Sequence, residues 1–369
     1  MPVRRLTRFF FICLILFTTD LWASETLLYA IRYESLQRYP DVVNTKVYSL
    51  DPNNGKKTRL VFSDEKTSIM LLPKRGMPGH PGEVLVSSRS KIFAHAVEKR
   101  LNPGRWYASK ASIYELLSNG FRRIFDVLGE QSLSEIFANR EGTQIGYLNY
   151  ESQKMVIFIH ETEMGRLLHK IDASKVFLDC FASSIGWLQD GDRLSFTLDT
   201  GDIHVTSEES DKQKGTYTMR GDGTGIMKLP ENLTSFPLEK GSRRGTASPP
   251  QFIGELADGS YVFRDFVVNE GHRGTQLPSF LYQVNPFTKS RKEIPLGVSK
   301  GLSWFKVSPT GKYIAFTEKI PSKEGRYEWI EHLWVKDLVS GKVDKVFTLD
   351  NMPFKGQHLG LVGWNVCMR

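Results

Sequence analysis

From residue 26 onward, short apolar and aromatic runs alternate with polar breaks rich in Gly, Asn, Asp and Pro. Runs of this length bounded by turn formers predict β-strands. The clearest unit is Val307-Ser308-Pro309-Thr310-Gly311-Lys312 followed by Tyr313-Ile314-Ala315-Phe316, then Leu333-Trp334-Val335-Lys336-Asp337-Leu338 and Gly341-Lys342. A second copy is Trp187-Leu188-Gln189-Asp190-Gly191 with Arg193-Leu194-Ser195-Phe196. No long helical period competes; Ser132–Asn139 is the most helix-like stretch, and it is short. Recurrence at this spacing predicts one supersecondary unit used many times.

Strands A to D, counted outward from a central channel, can be placed for each unit. The last blade takes A at Ser303–Val307, B at Tyr313–Lys319, C at His332–Leu338 and D at Lys342–Leu349. The one before takes Gln251–Glu255, Tyr261–Val268, Phe280–Asn285 and Arg291–Pro295; the next, Ala182–Trp187, Arg193–Leu198, Thr216–Met219 and Gly225–Leu229. Two less regular units use Leu133–Ala138, Gln144–Tyr150, Lys154–His160 and Leu167–Ile171, and Ser68–Leu72, Glu83–Ser88, Ser112–Leu117 and Arg122–Val127, the latter with an insertion at 89–111. The start of the chain supplies B, C and D (Thr26–Tyr33, Lys46–Leu50, Thr58–Phe62) without an A strand, and the end supplies a lone A strand, Leu359–Val366. Together they complete a blade and close the ring, leaving no unpaired junction. The expectation is an all-β, six-bladed β-propeller of four-stranded antiparallel blades, with seven blades as the alternative count.

On these residues the chain resembles the TolB-type propeller repeat, also called the WD40-like PD40 repeat, with a consensus near W-S-P-D-G-K-x-I-A-F and then L-Y/W-V-x-D-L-x-x-G. The match is good in the last blade, fair at Trp187–Phe196 and Asp222-Gly223, and poor between residues 66 and 172; Thr310 stands where the family prefers Asp. The resemblance implies the fold far more than any activity. Neither the α/β domain that precedes the TolB propeller nor a peptidase domain is expected here.

Residues 1–23 read as a secretory signal, with Arg4, Arg5 and Arg8 ahead of the apolar run Phe9–Phe17 and Ala23 at the cleavage position. An uncleaved anchor is the alternative, although the run is about half the ~20 residues a spanning helix needs. The expected domains are therefore 1–23, signal peptide, and 24–369, one propeller, periplasmic or secreted. Loss of three Arg and Asp20 with the leader lowers the net charge from +8 to +6. That dispersed surplus lacks the basic stripe of a nucleic-acid binder, and no membrane span is expected after cleavage. Cys180 and Cys367 fall in blades on opposite sides of the ring, too far apart for a disulfide, and both are expected to be free and buried.

The A–B and C–D links are tight turns (Asp190-Gly191, Asp258-Gly259, Thr310-Gly311, Asn53-Asn54-Gly55, Ser340-Gly341) and belong to one rim. The B–C and D–A links hold almost all the long loops: 35–45, 89–111, 199–215, 230–248, 269–279, 320–331 and 350–358. Long loops gathered on one face of a rigid scaffold predict a binding surface. They carry Arg38-Tyr39, Arg105-Trp106-Tyr107, His272-Arg273, Arg326-Tyr327 and Trp329. Arg, Tyr and Trp dominate interface hot spots, so Arg105, Trp106, Tyr107, His272, Arg273, Arg326 and Trp329 are the candidate partner-binding residues. The plain alternative is that Trp106, Tyr107 and Trp329 anchor their loops.

Three motifs imitate chemistry. Gly297-Val298-Ser299-Lys300-Gly301 matches a nucleophile elbow but joins two strands with no helix to follow. His160-Glu161-Thr162-Glu163 has Met164 where a zinc protease needs its second His. Arg220-Gly221-Asp222 belongs to a C–D turn, whose chemistry accounts for it. The eight His show no ligand spacing, and Asn232-Leu233-Thr234 is a sequon that matters only in a glycosylating host. The reading is an exported, non-catalytic module that docks a protein or peptide in the cell envelope, with no cofactor and no metal. The alternatives are a carbohydrate-active enzyme or lectin using the channel mouth, with His272, Arg273 and Arg105 around it, and a peptidase-type propeller that serves a separate enzyme.

Overall fold

The computed structural model describes residues 24–34, 43–53, 58–65, 67–71, 85–98, 111–117, 120–127, 135–151, 154–177, 180–200, 212–230, 250–266, 279–298, 301–321, 329–351 and 357–367. They form six antiparallel blades. Blade 1 is β1 (Ser24–Glu34), β2 (Val43–Leu50) and β3 (Thr58–Ser63), with β25 (Gln357–Cys367) as its innermost strand. Blade 2 holds β4 (Ile69–Leu71), β5 (Leu85–Ser87), β6 (Ile92–Glu98), β7 (Ser112–Leu117) and β8 (Gly120–Asp126). Blade 3 is β9 (Glu135–Ala138), β10 (Gln144–Glu151), β11 (Lys154–Glu161) and β12 (Leu167–Asp172). Blade 4 is β13 (Cys180–Trp187), β14 (Arg193–Thr200), β15 (Gly215–Arg220) and the short β16 (Met227–Lys228). Blade 5 is β17 (Gln251–Glu255), β18 (Tyr261–Phe266), β19 (Ser279–Asn285) and β20 (Ser290–Ile294). Blade 6 is β21 (Leu302–Val307), β22 (Tyr313–Pro321), β23 (Trp329–Asp337) and β24 (Val343–Asn351).

The ring closes as the termini predicted. β25 pairs with β1 from Ser24↔Cys367 to Tyr33↔Gln357. Each innermost strand also touches its two neighbours in the cycle β5, β9, β13, β17, β21, β25 and back to β5. Six blades create six seams, and six hydrophobic cores fill them. Within β1, Leu28 and Ala30 join the core shared with blade 2, while Leu27, Tyr29 and Ile31 join the core shared with blade 6. A strand packed on both faces needs apolar residues at successive positions, which is why these strands read as continuous runs.

Turn chemistry fixes the A–B links. In blades 3 to 6 the glycine N–H donates to the carbonyl three residues earlier: Gly142 to Asn139, Gly191 to Leu188, Gly259 to Leu256 and Gly311 to Ser308, at 2.8–3.1 Å. Gly311 has φ +68°, and a Cβ there would sit 2.6 Å from the backbone nitrogen of Ala257 in blade 5. Glycine serves there both the turn and the seam.

Blade 2 corrects the sequence reading. Its second strand is Ile92–Glu98, inside the stretch taken as an insertion, and Leu85–Ser87 belongs to the innermost strand. Both β4 and β5 pair with β6, Leu71 facing Ala96 and Leu85 facing Ala94. The run Ile92-Phe93-Ala94-His95-Ala96-Val97 is buried at every position, so it shows no polar alternation, and its Ala-His-Ala centre is a weak strand signal. On the long-loop rim, strands extend into several expected loops: β2 begins at Val43, β22 reaches Pro321 and β23 begins at Trp329, while β24 reaches Asn351 and β25 begins at Gln357. Cys180 opens β13 in blade 4 and Cys367 ends β25 in blade 1, opposite blades as expected.

Candidate functional site

Of the candidate residues on the long-loop rim, Arg105, Trp106, Tyr107, His272, Arg273 and Arg326 lie outside the described residues. Trp329 is described, and it is the first residue of a strand rather than part of a loop. It pairs with Pro321 on one side and Asn351 on the other. The ammonium of Lys319 lies 5.1 Å from its ring centroid, a cation–π arrangement. Lys319 also approaches the buried carboxylate of Glu331 at 3.6 Å. The other oxygen of Glu331 accepts the Leu359 N–H at 2.6 Å, tying blade 6 to blade 1.

The neighbouring blade repeats this constellation. Tyr33 stands near the end of β1, the Lys46 ammonium lies 5.4 Å from its ring centroid, and Lys46 pairs with Glu65 at 3.3 Å. Both aromatics are half-buried and both sit at the base of a B–C link on the same rim. Sequence reasoning missed Tyr33 and Lys46 because they fall within strands. The detectable signal was an aromatic closing one strand and a lysine near the start of the next.

The opposite mouth of the channel holds a cavity of about 180 Å³ to which every blade contributes. Its polar lining includes Arg89, Arg140, Gln189, Glu255 and Lys306. Hydrogen bonds cross the seams around it. The Val366 N–H donates to the Arg89 carbonyl at 2.8 Å, and the Arg89 N–H to the Arg140 carbonyl at 2.9 Å. Arg140 Nη1 donates to Gln189 Oε1 at 3.4 Å, and the Gln189 N–H to Glu255 Oε2 at 2.7 Å. Trp364 Nε1 donates to the Lys306 carbonyl at 3.1 Å. Burial pushes the Glu255 carboxyl up, against the Gln189 N–H that stabilises its anion. Among the described lining residues Glu255 is the one carboxylate, whereas glycoside hydrolysis ordinarily uses a pair.

The imitative motifs find structural explanations or fall outside. His160 Nδ1 faces the Gly165 carbonyl at 3.1 Å and its ring stacks on Phe125 at 3.8 Å between centroids, a core position. Asp222 Oδ1 accepts from the N–H and hydroxyl of Thr224, closing its own turn. Ser299 lies outside the described residues. Among the described residues no group of three His, Cys, Asp or Glu is placed to hold a metal, and no helix is long and apolar enough to cross a membrane.

No protein-family model matches the chain, and no curated protein matches it. Solved structures do. TolB from Acinetobacter baumannii superposes with a TM-score of 0.50 at 12% identity, covering 92% of this chain and 66% of that one. A putative TolB from Agrobacterium tumefaciens gives 0.44 at 13% identity, over 94% and 99% of the two chains. An oligogalacturonate lyase in complex with manganese gives 0.42 at 11% identity, over 86% and 78%. The chain thus spans 66% of the Acinetobacter protein's length, and what the two share is a TolB-like six-bladed propeller fold.

Proposed function

We propose that this chain is an exported, non-catalytic binding module that docks a protein or peptide partner on its long-loop rim. Residues 1–23 act as the cleaved signal in this reading. The observation that carries it is the twin arrangement on blades 6 and 1, Trp329 with Lys319 and Tyr33 with Lys46, joined by the Glu331–Leu359 bond. Half-buried aromatics held on strand ladders lose little entropy when a partner covers them, and neighbouring cations supply polar contacts at the edge of the contact. Arg105, Trp106, Tyr107, His272, Arg273 and Arg326 would extend this surface along the long loops.

The test is capture from envelope and secreted fractions of the host with wild-type, Trp329→Ala and Tyr33→Ala chains, alongside thermal unfolding of each. A stoichiometric protein captured by the wild type and lost in both variants, with unfolding unchanged within a few degrees, supports docking on this rim. Equal capture by all three chains, or loss of capture only together with loss of the fold, contradicts it.

A further inference from the structure

Lys306 is the anomaly of the most regular blade. It sits in an innermost strand, Leu302-Ser303-Trp304-Phe305-Lys306-Val307, whose work in a propeller is packing. Two residues earlier Trp304 has φ +51°, the left-handed region, where β21 slips register against β22 between Ser303 and Lys306. A bulge of this kind re-aims the side chains that follow it, and a left-handed tryptophan is a strained conformation that its surroundings must hold.

Lys306 lines the cavity at the short-turn mouth. Among the described residues no acceptor lies within hydrogen-bond or ion-pair distance of its ammonium; the one charge acting on it is Glu135, in blade 3 across the ring. Partial burial in the channel lowers its pKa, against the opposing charge of Glu135. Trp187, from blade 4, also lines the cavity. Arg89 and Arg140 stand at the same mouth, the first paired with Glu141 at 3.4 Å and the second donating to the neutral Gln189 amide, and Glu255 is the one carboxylate of the described lining. A volume of about 180 Å³ leaves room for on the order of ten non-hydrogen atoms.

A cavity lined by an ammonium and a guanidinium that have no carboxylate partner among the described residues is suited to an anionic acceptor. We propose that the short-turn mouth of the channel binds a small organic carboxylate, recognised by the Lys306 ammonium, with Arg140 and Arg89 adding positive charge at the entrance. Glu255, its carboxyl fixed by Gln189, can accept from a hydroxyl or amine on the same molecule. The site faces away from the proposed docking rim and stands whether or not that reading holds.

Calorimetry and thermal unfolding of the full chain with succinate, malate, glutamate and neutral succinamide test this. Two tetrapeptides, one with a free C-terminal carboxylate and one amidated, are run beside them. At least one acid binds and raises the unfolding temperature, succinamide does neither, and Lys306→Met weakens the acid at least tenfold while Lys306→Arg retains it. Lys306→Met without ligand unfolds at or above the wild-type temperature, because it removes a partly buried cation that has no ion-pair partner among the described residues; that readout separates a lost site from a lost fold. Binding confined to the free acids identifies a small metabolite, and binding of the free but not the amidated peptide identifies a chain terminus; either supports a carboxylate site. No binding by any carboxylate, equal binding of succinamide, or an unchanged affinity in Lys306→Met overturns it.

Discussion

Blades 6 and 2 share one plan and differ in how the innermost strand is built. In blade 6 a single strand, β21, runs the depth of the channel with one bulge at Trp304. In blade 2 that strand comes in two pieces, β4 and β5, both held by β6. A propeller tolerates this because the inner strand is fixed by its partner strand and by the seams, both of which survive on either side of the break. The difference also guides the search for function. The described strands of blade 2 depart from the repeat and answer to packing, whereas blade 6 keeps the repeat and still carries two residues the fold does not require, Lys306 and Trp329. Local exceptions in an otherwise consistent element are where function is expected.

The comparison can be broken most severely at Phe93, which is fully buried in the core between blades 2 and 3. Phe93→Ala should cost about 3–5 kcal/mol in urea unfolding. A cost near zero would return Ile92–Glu98 to a surface insertion and remove the correction to blade 2.

Acid comes next. The same seam contains His95, whose imidazole burial holds down at about 3, and His160, which burial also lowers despite its bond to the Gly165 carbonyl. Between pH 6.5 and about 3 the unfolded chain takes up protons that the folded chain refuses, so stability falls as pH drops through that window. The expected loss from His95 between pH 7 and pH 4 is on the order of 3 kcal/mol. It is read from unfolding temperatures across that range, and His95→Met should flatten the profile. An equal slope in the variant would place the acid sensitivity elsewhere.

A smaller contrast separates two glycines. Gly301 in blade 6 has φ +68°, and a Cβ there would meet the Lys319 carbonyl oxygen at 2.2 Å; Gly120 in blade 2 has φ +150° with nothing within 4 Å. Gly301→Ala should cost about 2–3 kcal/mol and Gly120→Ala about 1 kcal/mol, measured by the same unfolding. The reverse order would mean that the approach of Gly301 to β22 is the looser of the two. Trp329→Ala should change stability by under about 1 kcal/mol, since the pairing of β22 with β23 does not depend on its side chain.

Legibility in the sequence followed turn chemistry. Where glycine recurs four residues after the end of an inner strand, as at Gly191, Gly259 and Gly311, the strands on both sides were placed within a few residues. Blade 2 replaces that turn with Ser88–Lys91, closed by a bond from the Ser88 N–H to the Lys91 carbonyl, and there the second strand was misplaced. The site was less legible than the fold. Trp329 stood out as an aromatic beside a long link, but its partner Lys319 lies in a different strand and meets it only through the β22–β23 pairing. Tyr33 and Lys46 were invisible for the same reason. The one sequence sign of Lys306 was a lysine among aromatics in an inner strand, and its cavity depends on five other blades that no local pattern brings together.

The two rims can be set against each other directly. A photo-reactive aromatic is placed at position 329 on the long-loop rim and, separately, at position 287, where Phe287 is 82% exposed in a C–D turn of the other rim. Each chain is irradiated in the host's envelope and secreted fractions, with unlabelled wild-type chain as competitor. Docking on the long-loop rim predicts a discrete, competed adduct from 329 and none from 287. An adduct from 287 alone, or equal adducts from both, would contradict it.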